Sequence, residues 1–139
     1  MAGTKYTTAL TLTAVLAVFQ VMEAAGEAAG TAGTATVTLV QEENDVKRMQ
    51  KQLLGPYHDI RGLTTSNICH AYIMFVQNVK SRHSNWTETD WNNAQVVLER
   101  LDKKSNSLYR IISVSDRAKI KALQSEFREM QGNSLAKRD

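Results

Sequence analysis

Trp91, Ala94, Leu98, Leu101, Leu108 and Ile112 fall three, four or seven residues apart, and the same spacing resumes after a polar break at Ile120, Leu123, Phe127 and Met130. Steps of three and four bring side chains to one side of an α-helix, whereas a strand turns every second residue to the same face. Two such runs separated by Ser113-Val114-Ser115-Asp116 predict a helical hairpin with a coiled-coil-like seam. The first arm is expected over residues 88–112. It opens at Thr87-Glu88-Thr89-Asp90, because a threonine oxygen accepts from the free amides of a first helical turn and acidic residues suit its positive end. Ser105 takes the one stripe position in that arm that lacks an apolar side chain. The second arm is expected over 116–131, with Ser115 as its cap and Gly132 as its stop.

Upstream, Leu39, Val46, Met49 and Leu53 share a helical face, and Glu43 and Lys47 stand four apart on the exposed side. A helix over about 40–54 follows, with Glu42, Glu43 and Asp45 as its first-turn charges. Gly55-Pro56 ends it, and the connection to Gly62 holds the chain's single proline and two glycines, so it reads as a loop. A further helix over about 66–82 carries Ile68, Tyr72, Phe75 and Val79, widened by Cys69, Ile73 and Val76. So broad an apolar face marks the most buried helix of the set. The expected fold is therefore all-α, a small antiparallel bundle of about four helices spanning residues 39–132, with a polar tail over 133–139.

The chain has 139 residues, 42% of them hydrophobic and 22% charged, which suits one globular domain rather than a disordered chain. Its beginning is different in kind. Lys5 precedes a ten-residue apolar stretch, Ala9 to Val18, and small residues follow at Ala24, Ala25 and Gly26. This layout is that of a secretory signal peptide, and the stretch is short of the roughly twenty apolar residues a membrane span needs. Residues 1–25 are thus expected to be a signal peptide or a membrane-associated segment. Residues 26–38, rich in Ala, Gly and Thr, read as a flexible linker, because each glycine inside a helix costs about 1 kcal/mol relative to alanine.

Charge and motif content narrow the function classes. With 17 basic and 14 acidic residues the net charge is only +3, and Arg61, Arg82, Arg100, Arg110 and Arg117 are spread along the chain as solvated charges, so nucleic acid is not an expected partner. Cys69 is the single cysteine and lies in an apolar run, the setting of a small buried hydrophobe; His70 beside it points about 100° away on a helix and does not activate it. His58, His70 and His83 lack the four-residue pairing that preplaces two metal ligands, so neither a metal nor a cofactor is expected. Glycine-rich phosphate loops are absent, and no catalytic residues are assigned. Asn85-Trp86-Thr87 matches a glycosylation acceptor but is better explained as a capping turn, with Trp91 in the core and Trp86 packed over the corner.

Phe75 and Val79, then Trp86-Thr87-Glu88-Thr89-Asp90-Trp91 with Ala94, and Ser115-Asp116-Arg117 leading into Ile120, Leu123 and Phe127 resemble an uncharacterised family of small exported bacterial helical proteins. The likeness covers about residues 72–131. Gln95 stands where that family often has an acidic residue, and the cysteine of its lipid-anchored members is missing here. The resemblance implies a helical fold and a periplasmic or cell-envelope location, and it transfers no catalytic residue.

The function expected from these features is that of a non-catalytic, exported interaction module that buries an apolar groove or helix face against a protein partner. Met74 and Val97 lie off the main stripes and are expected to face outward, and with Trp86 they are the candidate partner contacts. A periplasmic holdase-like chaperone is the first alternative, a membrane-tethered structural spacer the second, and a small enzyme the last.

Overall fold

A computed structural model of the protein describes the backbone of residues 29–138 and the side chains of residues 36–138. Four α-helices make up the described part: α1 (Ala29–Leu54), α2 (Ile68–Arg82), α3 (Glu88–Ser107) and α4 (Val114–Ala136), with single 3-10 turns at Gly55–Tyr57, Ile60–Gly62 and His83–Asn85. No strand occurs among the described residues, and they form the all-α bundle expected from the stripes. No described helix is long and apolar enough to cross a membrane. The chain divides after Glu42 into two compact units, and the second, Glu43–Asp139, contains the packed core.

α1 starts earlier than its apolar face suggested. The described helix already includes Ala29, so the expected linker is helical from there onward, and its earlier residues, like the signal segment over 1–25, lie outside the described residues. Alanine and threonine carry the hydrogen-bond ladder through Gly30 and Gly33, because extending an existing helix by a residue is far easier than nucleating one. Glu42, Glu43 and Asp45 are consequently interior to the helix instead of occupying its first turn. Leu39 shares the face of Val46, Met49 and Leu53, yet it is 66% exposed while those three are buried. A helical face is buried only where another element covers it, and before Glu43 the described residues contain no other element.

The core is aromatic at its centre. Trp91, Tyr72, Phe75 and Phe127 are fully buried, with Phe127 5.2 Å from Phe75 and 5.7 Å from Trp91, ring centre to ring centre. Such tilted pairs add about 1 kcal/mol each beyond the area they bury. α2 supplies seven buried residues, the widest face in the bundle, and packs chiefly on α4. Polar ties cross the same seams. Asp102 of α3 accepts from the Tyr72 hydroxyl and from Gln124 Nε2, each at 2.6 Å, so one carboxylate joins α2, α3 and α4. Asn78 donates to the Leu53 carbonyl at 2.8 Å, satisfying an acceptor left open at the end of α1.

Both ends of the predicted hairpin differ from expectation. α3 stops at Ser107, not at 112: Ser107 donates to the Lys104 carbonyl at 2.6 Å, and the amides of Ile111 and Ile112 both turn back to Leu108. Ser-Asn-Ser is a poor continuation because short polar side chains offer the backbone alternative partners. α4 is capped by Ser113, whose hydroxyl accepts from the Asp116 amide at 3.1 Å, and not by Ser115. That register puts an acid at the third helical position, the place of reciprocal capping; a Ser115 cap would have put a neutral alanine there. α4 also runs through Gly132 to Ala136, taking in most of the expected tail, since Gly132 does not adopt the left-handed conformation that ends helices. Thr87 caps α3 as expected, in a full capping box with Asp90.

Candidate functional site

Of the three residues picked out as partner contacts, two keep an outward surface. Met74 on α2 and Trp86 at the α2–α3 corner are half-buried. Trp86 meets the buried Trp91 edge-on at 4.9 Å, while its carbonyl accepts from the Arg138 guanidinium. Val97 does not face outward: it is 0% exposed, inside the core. It stands three residues after Ala94 and four before Leu101, so it belongs to the buried stripe that the reading through Leu98 had drawn too narrowly.

The apolar surface is at the other end of α3. Where the helix stops, the chain makes a tight elbow before α4, and three large side chains point into solvent there: Tyr109 at 54%, Ile111 at 73% and Val114 at 73% exposed. Leu108 and Ile112 of the same elbow pack inward, so the turn alternates anchoring and displayed residues. Arg117 lies 4.6 Å above the Tyr109 ring, and its Nε is buried without an acceptor. A guanidinium on an aromatic face gains about 0.5–1 kcal/mol at an exposed site and restrains both side chains. Beside this pair runs an open groove of about 440 Å³, floored by Ile120 and edged by Lys121 and Gln124.

The patch exists because α3 ends at Ser107 and does not continue to residue 112. On an unbroken helix Tyr109 and Ile111 merely fall off the stripe; the signal was the Ser105-Asn106-Ser107 run, which ends the helix and turns the following residues out.

The three histidines occupy separate settings. His58 contacts the Gly55 carbonyl at 2.9 Å, His70 stacks on Tyr57, and His83 lies against Trp91. No three His, Cys, Asp or Glu residues are grouped to hold a metal ion among the described residues. Cys69 is buried, and burial pushes its thiol pKa up, with Asp116 adding to the rise and Lys119 opposing it. A raised pKa withholds the reactive thiolate. Asn85-Trp86-Thr87 forms the capping turn, with the Thr87 hydroxyl engaged by Asp90. The arginines are less dispersed than the sequence suggested, for Arg61 and Arg100 face one common cleft.

Compared with protein-family models, curated proteins and solved structures, the chain matches none.

Proposed function

We propose that the protein is a non-catalytic interaction module of the bacterial cell envelope, a helical bundle that presents the elbow between α3 and α4 to a protein partner. The observation that carries this reading is the cluster of Tyr109, Ile111 and Val114, displayed within six residues beside a stacked arginine and a groove. Aromatic and arginine side chains at the rim of a concavity are the residue types that dominate binding energy at protein interfaces. The elbow is also anchored from within by Leu108 and Ile112, so little ordering is lost when a partner docks. Met74 and Trp86 would extend the contact surface on the other seams of the bundle.

The envelope location rests on Lys5, the Ala9–Val18 apolar stretch and the small residues at 24–26, together with the resemblance to exported helical proteins. Affinity purification from the envelope fraction, comparing the native chain with Ile111→Ser/Val114→Ser, tests the whole reading. The double variant should unfold at the same denaturant concentration and lose proteins that the native chain retains. Retention of the same proteins by both would contradict it.

A further inference from the structure

Five cations line one cleft beside the last two turns of α3: Lys47 from α1, Arg61 from the turn at Ile60–Gly62, and Arg100, Lys103 and Lys104 from α3. Two carboxylates, Glu43 and Asp59, share it. The chain as a whole has 17 basic and 14 acidic residues, so with five and two of them placed here, twelve of each remain elsewhere. The cleft thus contains the protein's entire positive excess. Its volume is about 790 Å³. A concave wall of like charges focuses the field and concentrates counter-ions.

The internal compensation is partial. Glu43 binds Arg100 Nη2 through both carboxylate oxygens, at 2.9 and 3.2 Å, and lies 3.8 Å from Lys47. Gln50 accepts from Arg100 Nη1 at 3.0 Å while donating to the His58 carbonyl at 2.6 Å, which orients the guanidinium. Lys104 donates to the Arg61 carbonyl at 2.9 Å, fixing the turn that presents Arg61. The charged ends of Arg61 and Lys103 make no ion pair among the described residues. Two oriented cations and two unpaired ones therefore face the same space, with one carboxylate already seated on the arginine fork.

We infer that this cleft binds a small multivalent organic anion, an oligophosphate or polycarboxylate, with Glu43 occupying the place of one anionic group on Arg100 until the ligand arrives. The balance of charge over the rest of the chain limits the ligand's size. A nucleic acid needs a basic track that continues past the first few phosphates, whereas the cleft itself is lined by these five cations and two carboxylates. A compact ligand with three or four charges is matched to the two unpaired cations and the Arg100 fork. This site is independent of the elbow and stands or falls separately from the partner reading.

Calorimetric titration of the full chain at low ionic strength, with tripolyphosphate and with citrate as probes, tests it. One saturable site is expected, weakened by added salt, and the tighter of the two probes assigns phosphate or carboxylate chemistry. Arg61→Gln/Lys103→Gln should weaken binding about tenfold, the product of two exposed ion pairs at a few-fold each. Glu43→Gln should tighten it about threefold by freeing Arg100. Arg128→Gln/Lys119→Gln, which removes the same net charge from exposed positions on α4, should leave affinity within about twofold once screening is matched. The inference is overturned if no saturation occurs by about 10 mM ligand, if the α4 control weakens binding as much as the cleft variant, or if Glu43→Gln weakens it. Tight binding of an acidic peptide in place of both probes would overturn it too.

Discussion

Glycine has opposite meanings at two positions of this chain. Gly55 adopts a φ of +53°, the one described residue with a positive φ, and it is there that α1 gives way to the loop. Nothing crowds a Cβ at that position, so Gly55→Ala costs only the left-handed strain, about 1–2 kcal/mol in urea unfolding. Gly132 sits in ordinary helix with open space around it, and Gly132→Ala should raise stability by about 0.5–1 kcal/mol. Tyr72 gives a third, pH-dependent case. Burial first, and then its hydrogen bond to the Asp102 carboxylate, push the phenol well above its ordinary pKa of 10.0. The native state therefore keeps a proton that the unfolded chain releases above pH 10, and stability falls as pH rises past that point. Tyr72→Phe should cost about 1 kcal/mol near neutrality, and the gap to the native protein should narrow above about pH 10 because the variant lacks that slope. A gap that widens with pH in guanidinium unfolding would refute the assignment.

Element boundaries show where local chemistry overrides periodicity. The stripes located all four helices, because Trp91 to Leu101 and Ile120 to Met130 repeat at a spacing that no strand can bury on one face. Thr87 was legible as a cap because threonine and aspartate three apart have a reciprocal hydrogen-bonding role. The elbow was not, since Leu108 and Ile112 continue the stripe in register whether or not the backbone between them is helical, and only the hydrogen bonds across Lys104–Ile112 reveal the stop. Two serines two residues apart made the next cap ambiguous. Ser113→Ala should cost about 1 kcal/mol, whereas Ser115→Ala should change stability by no more than a few tenths, as measured by chemical denaturation. The basic cleft was illegible for a different reason: its cations come from three segments more than ten residues apart, and one-dimensional charge patterning cannot see a convergence made by packing.

At the scale of the molecule, one aromatic centre holds three helices, and the cleft and the elbow both form around the C-terminal end of α3. Phe127 touches both Phe75 and Trp91, so Phe127→Ala should destabilise by about 3–5 kcal/mol, a large part of the 5–15 kcal/mol typical of a domain. Tyr109, Ile111 and Val114 contribute little to that core, being exposed, and their display on the surface is the physical basis for proposing a partner there. A photo-activatable side chain placed at Ile111, with a second chain carrying it at the exposed Arg128 of α4, puts this to the most direct trial in intact cells. The account predicts one discrete cross-linked species from position 111 and none from 128. No adduct at 111, or the same adducts from both positions, would contradict it.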